Sequence, residues 1–581
     1  MGRNRWRSAW WESGAAGLAA GLLAAGAAVA QVAMPPASAA AAPAAPAAAS
    51  AAASAASAPG LPYSEAVAAR FPAPTERADT PGLQPGRSTF TSNEELSALL
   101  AALAQVPGVR RIAAGVSQRG TAIEALHFTV AAPAASSFAG GARPRVLLLG
   151  QQHGDEPAGS EALLALSREL AGGALAPLLQ HIEVLVLPRA NPDGAAFGLR
   201  VAMDGQDINR DHLLLRTPEA GALASLARRF TPALVVDVHE HTVVGRYLQK
   251  FGAIQRHDLL LQHATAANLP PALAAATEAW FLAPLRSALD ADGLTHTWYY
   301  TNPTTPGDLR LSMGGVQPDT LRNVQGLQHA VSILLESRGV GIGRLHLERR
   351  VHSHLVALRS LLHSAAERAP ALAALQQALA QQVAAAACEG TVAVLAAQTP
   401  TRRVLPMLDP ATGADLPLEV QWNSSLELRT LVQRPRPCGY WLAAEAGEAV
   451  ARLQALGVQV QTLGAPQPLL AETWRETARV ETDRPDVRGR IADARRALLV
   501  TVQTEPLALQ AGAGSFYVGL DQPLAHLVVA ALEPDTPSSY FANRLLPALG
   551  SAARVLRRPA AGAAAVVSAG DPRAASPARR E

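Results

Sequence analysis

Arg145-Val146-Leu147-Leu148-Leu149-Gly150-Gln151-Gln152-His153-Gly154-Asp155-Glu156-Pro157 is the stretch that decides the fold. Val146 to Leu149 is an unbroken apolar run, the pattern of a strand buried on both faces of a sheet. Pro157 suits the first turn of a helix, and the apolar spacing from there to Leu170 predicts one. A strand running through a short turn into a helix is half of a parallel α/β unit. Outward from this stretch the same texture repeats. Ile182 to Leu187 and Ala233 to Val238 read as buried strands, with a helical pattern over Pro218 to Arg229. Val331 to Leu335 is a fourth apolar run. It follows a helical stretch, Pro270 to Ala288, and a Pro/Gly/Thr-rich loop around Thr301 to Gly315. Upstream, Ser92-Asn93-Glu94-Glu95 has capping-box spacing and opens a helix to about Leu103. Ile112 to Val116 and Ala122 to Val130 are weaker strands. The predicted fold class is α/β, a mixed and mostly parallel sheet sandwiched by helices.

The ends of the chain have other textures. Arg3, Arg5 and Arg7 precede an uncharged Ala/Gly/Leu run, Gly14 to Ala30, ending in the small-x-small triplet Ala28-Val29-Ala30. That is the pattern of a secretory signal peptide over 1–30. The alternative, an uncleaved anchor, needs ~20 strongly apolar residues. Residues 31–60 are an Ala/Pro/Ser-rich linker. A catalytic domain is expected over 61–343 and a helical connector over 344–387. A smaller α+β or β-rich accessory domain over 388–557 and a disordered tail over 558–581 follow. The chain is expected to be periplasmic or secreted, with no stable membrane insertion after cleavage. Among 581 residues there is one lysine, Lys250, and the formal net charge is only +3. The arginines are scattered, without a basic, aromatic-interleaved stripe, so nucleic acid is not an expected partner. Cys388 and Cys438 are the two cysteines. In an oxidising compartment they pair; the alternative is two buried thiols.

Five segments carry chemistry. His153 and Glu156 follow the carboxyl end of a predicted strand, where open α/β sheets bind ligands. Alone, H-x-x-E is also a plain helix start. His239, in Asp237-Val238-His239-Glu240-His241, ends another buried strand and faces the same crevice if the two strands are neighbours. Two His and one Glu with an open fourth position are a catalytic zinc set; His241, on the same strand face, is the second choice for the third ligand. Asn191-Pro192-Asp193-Gly194 is turn chemistry. Asp207-Ile208-Asn209-Arg210-Asp211 places an amide and a guanidinium side by side, a pair suited to gripping a carboxylate. Glu336, in Leu334-Leu335-Glu336-Ser337-Arg338-Gly339, ends the last apolar run. Apolar surroundings raise a carboxyl pKa toward the range useful for proton transfer; the bland reading pairs it with Arg338.

Taken together and in this order, the four motifs and Asp237-Val238-His239 resemble the zinc carboxypeptidases related to carboxypeptidase A, the M14 peptidases, over about residues 90–340. The resemblance implies Zn2+ bound by His153, Glu156 and His239, with Asp207 orienting His153. It implies Glu336 as general acid/base and Arg200 at the oxyanion. Asn209 and Arg210 would hold the terminal carboxylate of a peptide or murein-peptide substrate. The family's active-site tyrosine has no clear counterpart: Tyr299 and Tyr300 precede Glu336, but not at the usual place. The implied reaction is removal of C-terminal residues. The rivals are a murein-peptide amidase, an N-acyl amino acid deacylase and, from another class, a non-catalytic zinc- or peptide-binding module. His346, His352 and His354 tempt as a second metal cluster, but exposed helix histidines are the expected reading.

Overall fold

The computed structural model describes residues 61–130, 138, 143–483, 485–486, 489–490, 496–559 and 564–566. The expected signal peptide and linker lie outside these residues.

An eight-stranded sheet organises the catalytic half. Its strands are β1 (Val109–Val116), β2 (Ala122–Phe128), β3 (Arg145–Gly150), β4 (Glu183–Leu187), β5 (Leu234–Thr242), β7 (Leu259–His263), β8 (His296–Trp298) and β10 (Val331–Val340). Two short strands of another sheet, β6 (Ile254–Gln255) and β9 (Leu311–Ser312), intervene in the chain. The order across the sheet is β1-β2-β4-β3-β5-β10-β7-β8. The middle four, β4, β3, β5 and β10, run parallel. β2 and β7 join them antiparallel; at the edges β1 pairs antiparallel with β2, and β8 parallel with β7. The predicted mixed, mostly parallel sheet is therefore present.

The central strands are apolar on both faces because helices cover both. Val146, Leu148, Val184, Val236 and Val238 pack against helices Pro157–Leu170 and Leu347–Glu367. Leu147, Leu149, Leu185 and Val235 face helix Pro218–Phe230. Truncating any one of these leucines to Ala would cost about 2–5 kcal/mol. The capping box forms as read: Ser92 Oγ accepts from Glu95 N at 3.2 Å, and Glu95 Oε2 from Ser92 N at 2.8 Å.

The expected connector, 344–387, is core. Helix Leu347–Glu367 buries Val351, Leu355, Leu358 and Leu362 under the sheet, and helix Ala369–Ala385 follows it. His354 on it is fully buried rather than exposed, and burial pushes its pKa down to about 3. His352 pairs with Asp292 at 2.5 Å. Two long strands, β11 (Thr391–Leu408) and β12 (Asp415–Pro435), form a hairpin. β11 pairs with β6, and β12 with β9, so the hairpin is stitched into the catalytic half. A further seven-stranded sheet lies between Gly439 and Val566, with Gln467–Thr482 against Ala497–Ala511. Its helices share a core with Pro218–Phe230: Leu453 and Leu527 belong to the same cluster as Leu223 and Leu226. The described residues from Leu61 onward form one compact unit. Within the expected disordered tail, Ala564–Val566 pairs with Gln461–Leu463. Cys388 and Cys438 are joined in a disulfide. Among the described residues no helix is long and apolar enough to cross a membrane.

Candidate active site

β3 and β5 are neighbours, as the crevice required, with Leu149 opposite Asp237. β10 lies on the other side of β5, and Glu336 is opposite His239. Paired residues on parallel strands share a face, so the loop after β3 and the carboxyl-terminal halves of β5 and β10 deliver His153, His239 and Glu336 to one crevice. Glu156 is the N-cap residue of helix Pro157–Leu170, where the helix dipole favours its charge. The loop that holds His153 is braced by the Asn191-Pro192-Asp193-Gly194 turn. Asn191 Oδ1 accepts from Gly194 N at 2.8 Å, while its Nδ2 donates to the Gln152 and Val201 carbonyls. Gly154 meets this turn backbone to backbone: a Cβ there would stand 2.0 Å from the Gly194 carbonyl carbon.

The metal-type donors converge. His153 Nδ1 lies 2.9 Å from Glu156 Oε1, His239 Nδ1 lies 2.8 Å from Glu156 Oε2, and the two Nδ1 atoms are 3.0 Å apart. All three residues are buried, and they are the one such group among the described residues. The far ring nitrogens face carboxylates: His153 Nε2 is 3.1 Å from Asp207 Oδ1, and His239 Nε2 is 2.9 Å from Asp237 Oδ1. A ring that donates outward from Nε2 presents its Nδ1 lone pair inward. Two lone pairs and a carboxylate aimed at one point repel each other unless a cation sits among them. Zinc bonds of ~2.0–2.1 Å in a tetrahedral site put ligand atoms roughly 3.3 Å apart, close to the separations here. Two imidazoles and one carboxylate, open to a cavity on the fourth side, fit a catalytic zinc. His241 is not in this group: burial and the nearby Arg338 push its pKa down to about 3, and its Nδ1 contacts the Thr242 carbonyl.

Electrostatics agree with a cation site. Burial pushes the Glu156 carboxyl up, but the two histidines outweigh it and hold it well below the usual range. Burial pushes His239 down, yet Asp237 and Glu156 raise it well above its ordinary value. The carboxylates that favour a proton there favour a metal ion that displaces it. Glu336 is 9% exposed. Burial, then the charge of Glu156, raises it to about 7. Arg338 does not pair with it; its guanidinium lies over the Phe71 ring, 3.3 Å from the centroid.

Arg200 stands beside the donors, with Nη1 3.0 Å from His153 Nδ1 and 3.3 Å from Glu156 Oε1. Its Nη2 and Nε donate to Asp207 Oδ2 at 2.8 and 3.1 Å. Asn209 and Arg210 line the same cavity, of about 480 Å³. Asn209 has a second occupation: Nδ2 reaches Asp237 Oδ2 at 3.1 Å and His239 Nε2 at 3.0 Å, and Oδ1 accepts from Leu321 N. Arg210 Nη1 donates to the Asn209 carbonyl at 2.7 Å.

Sequence reading missed several members. Asp237 and Gln152 hold His239 and its carboxylate, with Gln152 Nε2 2.7 Å from Asp237 Oδ1. A signal existed for Asp237, which shares the strand face of His239 at i−2. Tyr299 lines the cavity, and burial followed by the charge of Glu336 raises its pKa well above the usual value. Gln398 and Asn423 reach the cavity from the β11–β12 hairpin, which no local pattern could place there.

A family model described as zinc carboxypeptidase, Peptidase M14, matches residues 96–222. The chain contains a zinc carboxypeptidase domain. Carboxypeptidase 2 of Trichophyton equinum is 28% identical over 409 residues, 69% of this chain and 74% of the relative. Human carboxypeptidase D is 33% identical over 137 residues, 18% of this chain and 10% of the relative. A solved metallo-carboxypeptidase from Burkholderia cenocepacia aligns at 18% identity and TM-score 0.36, covering 48% of this chain and 69% of that one.

Proposed function

We propose that His153, Glu156 and His239 hold the catalytic zinc and that Glu336 moves the protons of peptide-bond hydrolysis. The observation that carries this reading is the meeting of three donor atoms within 4.8 Å of one another, with Glu336 opposite His239 on the next strand. The domain makes the chain a peptide hydrolase that releases C-terminal residues and uses Zn2+. When bound, the ion supplies Lewis acidity for the attacking water and the scissile carbonyl. Glu336, raised to about 7 by burial, accepts a proton from the water and returns it to the leaving amine. Arg200 donates to the oxygen that gains charge, and Asp207 holds both Arg200 and His153 in place. Arg210, with Asn209, receives the substrate's terminal carboxylate in the cavity.

The substrates are peptides or murein peptides met outside the cytoplasm. The basic-then-apolar N-terminal pattern supports export, and so does a disulfide between Cys388 and Cys438. The deciding experiment compares peptides with free and amidated C-termini. Free peptides should lose single C-terminal residues and amidated ones should react at least about a hundredfold more slowly, because the guanidinium is left without its anion. Glu336→Gln should retain zinc and lose several orders of magnitude in kcat. Equal cleavage of both peptide forms removes the exopeptidase reading, and near-normal kcat in Glu336→Gln removes the proton carrier.

A further inference from the structure

Five arginines line the cavity: Arg200, Arg210, Arg246, Arg310 and Arg322. Four are occupied or engaged. Arg200 lies on Asp207, Arg310 forks onto Asp308 at 2.9 and 2.6 Å, and Arg246 donates to Asn302 Oδ1 at 3.1 Å. Arg210 holds the Asn209 carbonyl. Arg322 differs. It is 3% exposed, and its Nη2 donates to a neutral backbone carbonyl, that of Gly315, at 3.0 Å. Its Nε finds no acceptor among the described residues, and no carboxylate forms an ion pair with it.

A guanidinium cannot shed its charge, so burying it beside a cavity without an anion is costly. Burial holds Arg322 down to about 10 against the pull of Tyr299 and Asp237. The acidic residues on the cavity wall are committed elsewhere. Glu156 and Glu336 face the zinc position, and Glu240 is bidentate to Arg350 at 2.9 and 2.6 Å. Asp319 is not without a partner.

The cradle of Arg322 is built rigidly. Gly314 makes room for it: a Cβ there would stand 3.0 Å from Arg322 Nη2 and 3.1 Å from Nη1. Gly314 is pinned from three sides. Gln262 Oε1 accepts from its N at 2.8 Å, Ser425 Oγ donates to its O at 2.6 Å, and Gln398 anchors the adjacent Met313 carbonyl at 2.8 Å. Asn323 Nδ2 fixes Gly315 and Gln317. Two of these anchors, Gln398 and Ser425, come from the β11–β12 hairpin. The C-terminal half therefore shapes this wall, and it holds a cationic donor in a fixed place, the condition for discriminating substrates by charge.

We infer that Arg322 selects the side chain of the residue to be released and that this residue carries a carboxylate, as in peptides ending in Glu or Asp. The inference rests on the hydrolase reading above, with Arg210 and Asn209 on the terminal carboxylate and Arg322 on a second one.

The test is the ratio of kcat/KM for benzoyl-Gly-Glu to that for benzoyl-Gly-Gln, near-isosteres that differ in charge, using the zinc-loaded full chain. The wild type should prefer Glu by about tenfold to a hundredfold. Arg322→Gln should abolish that preference while leaving turnover of the Gln substrate within a few-fold. Arg322→Lys, which keeps the charge, should restore part of it. Equal rates on Glu and Gln in the wild type overturn the inference. So does an Arg322→Gln variant that slows both substrates alike, which would place Arg322 on the terminal carboxylate or in the scaffold. Should Arg322→Gln fail to fold, the wild-type ratio and the lysine variant decide. Cleavage of any free-carboxylate peptide keeps the hydrolase reading whatever the ratio; cleavage of none removes both.

Discussion

Replacing Asp237 by Asn isolates what a buried carboxylate contributes to the metal site. Asp237 is fully buried, and Oδ1 lies 2.9 Å from His239 Nε2. Its other contacts are neutral amides, Gln152 at 2.7 Å and Asn209 at 3.1 Å. Its negative charge is therefore directed mainly at the His239 ring. Asp207 orients His153 in the same way, but it shares its second oxygen with the Arg200 guanidinium at 2.8 and 3.1 Å. That cation offsets the field Asp207 would otherwise place on its histidine. Removing a carboxylate behind a metal-bound histidine costs about 10–100-fold in affinity, roughly 1.4–2.7 kcal/mol. Asp237→Asn should fall at the upper end of this range and Asp207→Asn at the lower. If the amide turns its NH2 toward Nε2, the proton moves to Nδ1 and the loss for Asp237→Asn grows. Zinc dissociation constants by chelator competition, with circular dichroism to verify the fold, give both numbers. An Asp237→Asn variant that binds zinc as tightly as wild type, or more tightly than Asp207→Asn, would refute the argument.

Two other outcomes follow from the described geometry and the chain's N-terminus. His257 and His526 are buried, and burial pushes each down to about 3. Their folded pKa lies below the unfolded value, so the unfolded chain binds more protons and stability is lost as pH falls from about 6.5 toward 3. At pH 5 each should cost roughly 2 kcal/mol, and denaturant titrations of wild type and His257→Gln at pH 7 and 5 should show the variant's pH loss smaller by about that amount. Equal losses in both would remove His257 from the account. Sequencing the native protein should find it beginning near Gln31; an intact Met1 on a cytoplasmic protein contradicts export.

Much of this protein was legible in local pattern. Apolar runs at Val146–Leu149, Ile182–Leu187 and Ala233–Val238 read as buried strands because helices on both faces leave no side for polar residues. Pro157 and Pro218 begin the helices that they announce. His153 and Glu156 follow the end of β3, His239 and Glu336 lie in the carboxyl-terminal halves of β5 and β10, and their residue types carry the chemistry, so motif and order were enough to nominate them. β7 went unread because Leu259, Leu260 and Leu261 make too short a run to stand out. His354 was misread because one turn of an amphipathic helix does not reveal which face the rest of the protein covers.

What the chain alone determined was the set of strands and helices and the nominated donors, since these depend on side-chain period and on chemistry fixed within a few residues. What only the tertiary structure decided was which groups meet. Register puts Leu149 opposite Asp237 and Glu336 opposite His239, and the crossing of distant segments brings Arg322, Tyr299 and the hairpin's Gln398 to one cavity. It also turns Asn209 toward His239 and merges the supposed connector and accessory region into one body with the sheet. These are contacts between residues tens to hundreds of positions apart. Their energies come from burial and from pairing charges in a shared low-dielectric interior, and neither quantity exists until the chain has folded.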